Sequence, residues 1–90
     1  MTLRTGAIVQ ALGGELFGDA DRIVTRLAPL EHARAGELSF LVNPRLTHLL
    51  AESQAGCVIV GPELAEVARG CGDCIVAPNP HLYFAQVTQL

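Results

Sequence analysis

The chain has 90 residues, half of them hydrophobic, with a formal net charge of −3 and a pI near 5.4. That length fits one domain, near the size at which burial just suffices for independent folding. No run of about 20 apolar residues occurs, nor a charged segment leading into an apolar one, so neither a membrane span nor a signal peptide is expected and the protein is read as soluble and cytoplasmic. The six basic residues, all arginine, lie scattered at positions 4, 22, 26, 34, 45 and 69 without forming a stripe, which argues against a nucleic-acid partner.

Leu3, Ala7, Ile8, Ala11 and Leu12 recur at helical spacing and stop at Gly13-Gly14, predicting a first helix over Leu3 to Leu12. Glu15 to Phe17 and Ile23 to Leu27 then read as strands. The turn chemistry of Gly18-Asp19-Ala20-Asp21 between them predicts a hairpin-like pair. Pro29 and the stretch around Gly36 form a connector to a strand at Leu38 to Val42, and a helix follows from Pro44 to about Ser53.

Cys57 to Val60 is continuously apolar, as in a strand covered on both faces, with Cys57 acting as a small core hydrophobe. Pro62 opens a short helix with Leu64, Val67 and Ala68 on one side and Gly70 at its end. Cys74 to Ala77 is the next buried strand, so Cys57 to Ala77 predicts a right-handed βαβ unit. A last helix opens at Asn79-Pro80 and presents Tyr83, Phe84, Val87 and Leu90 as a buried face. Its pattern reaches Leu90 without a Gly or Asn stop signal, which is expected of a chain that continues. The fold class expected is α/β, a small mixed sheet flanked by helices.

Two motifs invite chemistry that their context disfavours. Cys71-Gly72-Asp73-Cys74 has C-x-x-C spacing, but a structural zinc site needs four ligands, and only Cys57 and one of His32, His48 or His81 remain to complete it. A redox pair should precede a helix, whereas Cys74 enters a strand. Gly70-Cys71-Gly72 leaves a helix for a strand, the reverse of a phosphate loop. No metal and no cofactor are expected. None of the three histidines has an Asp, Ser or Cys at a spacing that suggests a relay, so no catalytic residue is assigned within the chain.

The most informative segment is Leu38 to Leu50. There a strand runs into Asn43-Pro44, a preferred N-cap followed by a proline at the first helical position. Phe40 adds an aromatic face beside the Asn43 amide, a combination that suits a base such as uracil and equally fits an ordinary helix cap beside a core phenylalanine. Arg45 next to the corner reads either as a diphosphate contact or as a solvated first-turn arginine. Asn79-Pro80 repeats the corner, and both asparagines would meet at one sheet edge if their strands were parallel neighbours.

Gly36-Glu37-Leu38-Ser39-Phe40, Asn43-Pro44, Ala55-Gly56-Cys57-Val58-Ile59-Val60 and Asn79-Pro80, in this order and spacing, resemble the N-terminal domain of UDP-3-O-(3-hydroxyacyl)glucosamine N-acyltransferases of lipid A synthesis over essentially the whole chain. The resemblance implies a single uridine-binding domain over residues 1–90, with a fold like that of the Mur ligase N-terminal domain. It implies that Phe40 stacks on uracil, that Asn43 bonds to it, and that position 46, aromatic in the family, closes the other face. Here that position is Leu46, which offers dispersion contact without a π surface. Leu46 also recurs with Leu49 and Leu50 at i, i+3 and i+4, the spacing of a buried helix face.

The same resemblance implies a parent enzyme, homotrimeric through a catalytic left-handed β-helix absent from this chain. That enzyme moves a 3-hydroxyacyl group from acyl carrier protein to the 2-amino group of UDP-3-O-acylglucosamine. The 90-residue chain alone is expected to be monomeric and to bind without catalysing. Two alternatives stand beside it. A uridine-binding Mur ligase domain usually carries Asp-Ser-Arg where this chain has Leu30-Glu31-His32-Ala33. A non-enzymatic interaction module would use its apolar surface to dock a partner.

Overall fold

The computed structural model describes residues 2–90. Its centre is β6 (Cys57–Val60), buried at every position as its unbroken apolar run predicts. Parallel neighbours lie on both sides, β5 (Glu37–Leu41) and β7 (Cys74–Val76), with Phe40 opposite Ile59 and Ile59 opposite Ile75. The five-stranded sheet has the order β2-β7-β6-β5-β4, where β2 (Glu15–Phe17) is the one antiparallel member and β4 (Arg26–Leu27) the parallel edge. The predicted α/β class with a mixed sheet holds.

Alternation along these strands builds two cores. Leu38, Cys57, Ile59 and Ile75 pack with Ile8 of α1 (Thr5–Leu12) and with Tyr83 and Val87 of α4 (Pro80–Val87). On the opposite face, Leu41, Val58, Val60 and Cys74 pack with Leu50 of α2 (His48–Glu52) and with Ala68 of α3 (Ala65–Cys71). Short 3-10 turns precede α2 and α3, at Pro44–Leu46 and Pro62–Leu64, so two of the three helices predicted to start at a proline begin with a tighter turn, while the last starts directly at Pro80. No described helix is long and apolar enough to cross a membrane.

The predicted hairpin does not form. β2 pairs with β7, Leu16 opposite Ile75, because the βαβ unit leaves that edge of the sheet open to an apolar strand. The segment predicted as one strand over Ile23 to Leu27 breaks at Thr25. Its first part, β3 (Ile23–Val24), pairs antiparallel with β1 (Leu3–Arg4) outside the main sheet, and its second part is β4. Leu3 and Arg4 are thereby drawn from the predicted helix into a ladder, and α1 starts at Thr5. The loop before β3 then satisfies the first helical donors. Thr5 N–H donates to Arg22 O at 2.9 Å, Gly6 N–H to Ala20 O at 2.9 Å, and the Thr5 hydroxyl to Asp19 O at 2.8 Å.

Three helix details also depart from the sequence pattern. Val67 is 47% exposed, so only Leu64 and Ala68 of its predicted stripe face the core. α3 runs through Gly70 to Cys71 and stops at Gly72, whose φ of 148° is open to glycine and strained for other residues. Leu90 is 50% exposed and lies beyond the end of α4 at Val87, outside its predicted buried face.

Cys57 and Cys74 are buried and Cys71 is exposed. Burial pushes the Cys57 thiol from its usual 9.0 up to about 12, and the Tyr83 hydroxyl, which donates to Gly13 O at 2.8 Å, from 10.0 up to about 12. Between pH 9 and about pH 12 the unfolded chain releases these protons while the folded chain retains them. Stability is therefore complete below pH 9 and falls as the pH rises through that window. Urea unfolding below pH 9 and again at about pH 11 should show the midpoint decline, and Cys71 alone should react rapidly with a thiol reagent in the folded chain at mildly alkaline pH.

Candidate functional site

The site begins where β4 stops. Leu27 is the last residue of β4 to pair with β5, opposite Leu38, and Ala28 N–H donates to Leu38 O at 3.1 Å. The ladder ends there and the chain leaves the sheet at Pro29. Ser39, Phe40 and Leu41 of β5 thus keep β6 on one side and lose their neighbour on the other.

The connector after Pro29 is held over this opening. His32 N–H donates to Pro29 O at 3.0 Å, the Ser53 hydroxyl to Leu30 O at 3.1 Å, and Arg34 N–H to Glu37 Oε1 at 2.8 Å. At its far end Gly56 N–H bonds Arg34 O and Glu37 O, both at 3.0 Å. A Cβ on Gly56 would lie 2.0 Å from Ala35 O, so only glycine allows the connector to close this tightly.

A groove of about 300 Å³ results, at the lower end of ordinary small-ligand pockets. Leu30, Leu41 and Leu49 give it apolar walls, while Glu31, Ser39 and Asn43 supply polar groups. Phe40, Asn43 and Leu46, the three residues singled out in the sequence, all line it. Leu46 is 38% exposed, which corrects its reading as part of a buried helix face. The tight turn at Pro44–Leu46 swings it to the groove, and the core receives Leu50 instead.

Asn43 caps that turn, its Oδ1 accepting from Arg45 N–H at 3.0 Å. This bond fixes which end of the amide is oxygen. The Nδ2 group has no hydrogen bond among the described residues, so it supplies the donors at the groove. The Arg45 side chain is exposed and lines none of the described grooves.

Phe40 and Pro29 also border a second groove of about 290 Å³, almost wholly apolar, with Leu27, Ala28 and Phe84. The Phe40 ring lies 4.5 Å from Phe84 at 40° and 5.7 Å from His81 edge-on, so its aromatic partners come from α4 rather than from position 46. Asn79 stands apart. Its strand and that of Asn43 are separated by β6, its Oδ1 accepts from Leu82 N–H at 3.1 Å, and it lines a different groove with Leu12 and Leu82. The condition under which the two corners would share one site is not met.

Sequence reasoning missed Glu31 and Ser39. Glu31 sits in an irregular connector without periodicity, and Ser39 looks like an ordinary strand residue; both reach the groove only through the tertiary path of the chain. Among the described residues no three His, Cys, Asp or Glu side chains are placed to hold a metal ion.

A family model described as UDP-3-O-(3-hydroxymyristoyl) glucosamine N-acyltransferase, LpxD, matches residues 21–90. A UDP-3-O-acylglucosamine N-acyltransferase from Delftia acidovorans is 52% identical over 90 residues, covering 99% of this chain and 27% of the relative. Its counterpart from Albidiferax ferrireducens is 54% identical over 90 residues, covering 100% of this chain and 27% of the relative. One from an Acidovorax species is 54% identical over 91 residues, covering 100% and 28%. The chain therefore spans little more than a quarter of the length of the curated relatives it matches.

The cap and the free donor of Asn43 are separable. Asn43→Ala should lower stability by about 1 kcal/mol through loss of the cap, while Asn43→Asp, which keeps the accepting oxygen, should leave stability within a few tenths of wild type. Chemical denaturation of the two variants checks this.

Proposed function

Since the chain belongs to the LpxD family of UDP-3-O-(3-hydroxymyristoyl) glucosamine N-acyltransferases, we propose that residues 1–90 form its uridine-binding domain and that the groove at Phe40, Asn43 and Leu46 holds the uracil end of a UDP-sugar. The parent protein would transfer a 3-hydroxyacyl group from acyl carrier protein to the 2-amino group of UDP-3-O-acylglucosamine in lipid A synthesis. The transfer chemistry itself is assigned to the part of the relatives that lies outside this chain.

The observation that carries the reading is the state of Asn43. With Oδ1 engaged by Arg45 N–H, the amide offers N–H donors to the groove. A base that presents a carbonyl oxygen is complemented there. One that presents an exocyclic amine, as adenine does, sets donor against donor and is rejected. Phe40 and Leu46 supply apolar faces for the ring, and the Glu31 carboxylate at the same groove suits the ribose hydroxyls, which can donate to it.

Mechanistically, this domain anchors. Contacts to uridine lie far from the reacting amine, and their binding energy holds the amine in place for the thioester, which removes part of the entropy cost of bringing the two together. Contacts of equal strength in the ground and transition states act on KM and leave kcat unchanged.

An NMR titration of the chain with UMP and, separately, AMP tests the reading. UMP should shift the amides of Glu31, Phe40, Asn43 and Leu46 while Asn79 stays still, and AMP should have little effect. Equal responses to both, or none at millimolar UMP, would reject it. Asn43→Asp should weaken UMP binding about tenfold or more, because it replaces the donor with a charge that repels base and phosphate alike. Leu46→Tyr, which restores an aromatic second face, should tighten it by a factor of about three to ten, equivalent to roughly 1 kcal/mol.

A further inference from the structure

Ser39 is 1% exposed, and its Oγ is the one buried side-chain nitrogen or oxygen with no hydrogen-bond partner among the described residues. Such an orphan destabilises a fold, since the hydroxyl leaves water and gains nothing in return, and native structures keep few of them. The position itself does not call for a hydroxyl. Ser39 pairs with Val58 on β6 and belongs to the face that carries Leu41, where an alanine would extend the apolar cluster.

What distinguishes Ser39 is its place at the groove. It is the first residue of β5 beyond the end of β4, and it lines the same groove as Phe40, Asn43 and Leu46. Among the groove's polar side chains Glu31 and Asn43 are exposed, whereas Ser39 lies deep, between the apolar walls formed by Leu30 and Leu41. A flat, weakly solvated base suits that depth. Ribose and phosphate, which hold water strongly, suit the rim beside Glu31.

We propose that Ser39 hydrogen-bonds the base of the bound nucleotide, so that the uracil edge is read by two side chains, Ser39 and Asn43; this rests on the uridine-site reading above. A serine has three staggered χ1 positions, and its Oγ turns to the groove when the base arrives. The hydroxyl both donates and accepts, which matches an edge where carbonyl oxygens alternate with an N–H. The unpartnered hydroxyl is then a binding group held ready, and it gains its hydrogen bond on binding.

The test is a calorimetric titration of wild type, Ser39→Ala and Ser39→Cys with UMP and with 2′-deoxy-UMP, alongside thermal melts. Ser39→Ala should bind UMP about five- to tenfold more weakly, with the same factor for 2′-deoxy-UMP, and should melt at or above the wild-type temperature. Ser39→Cys, a weak donor of similar shape, should fall between the two, and it decides the matter if the alanine variant does not fold. Unchanged affinity in Ser39→Ala overturns the proposal and leaves the uridine site standing. So does a loss confined to UMP, which would place the hydroxyl on the ribose, or a loss accompanied by a lower melting temperature, which would make Ser39 structural. A wild-type chain that binds neither nucleotide overturns the uridine site and Ser39 together.

Discussion

The end of β4 at Leu27, only two residues into its ladder with β5, shapes everything at the groove. β4 pairs with β5 through Leu27 and Leu38, one more bond follows from Ala28, and beyond that the chain departs from the sheet. An edge strand two residues long leaves the C-terminal part of β5 unpaired on one side. The connector from Pro29 to Arg34 roofs the gap without filling it, because its hydrogen bonds run to Ser53, Glu37, Gly56 and itself. A longer β4 would cover Ser39 and Phe40 with backbone, and the groove would not exist.

The same opening explains how one strand can serve a core and a site. Leu38 and Leu41 are buried on opposite faces of the sheet, anchoring β5 in both cores, while Phe40 is half-buried and borders two grooves. Its ring is held by Phe84 and His81 from α4. A side chain with its rotamer fixed by packing presents its free surface at little further entropy cost, which is how a rigid scaffold makes a shallow groove selective. Asn43 shows the same economy. Capping fixes the amide's orientation, and that orientation leaves its donors for a ligand.

Much of this was legible in the sequence. The unbroken apolar run Cys57 to Val60 announced a central strand, and Pro62, the glycines near position 70 and Cys74 to Ala77 announced the next helix and strand. Asn43-Pro44 and Asn79-Pro80 gave both helix starts, and each asparagine does accept from a backbone N–H, Arg45 in one case and Leu82 in the other. These features rest on local physics, caps, prolines and periodicity, which a short window of residues contains in full. The resemblance to the family rested on those same local motifs.

Strand partners and exposure were decided by the tertiary structure alone. The turn at Gly18 to Asp21 suits a hairpin, yet β2 joins β7, about sixty residues away, where Leu16 packs against one core and Phe17 against the other. Helical spacing placed Leu46 in the core, and the 3-10 turn after Pro44 rotated it into the groove. Neither Glu31 nor Ser39 carries a local signal, since one lies in an irregular connector and the other on a strand like any other. The sequence by itself determined the elements and their caps, for these depend on neighbours along the chain. The folded structure decided which side chains converge, because pairing and burial depend on contacts between residues far apart in sequence.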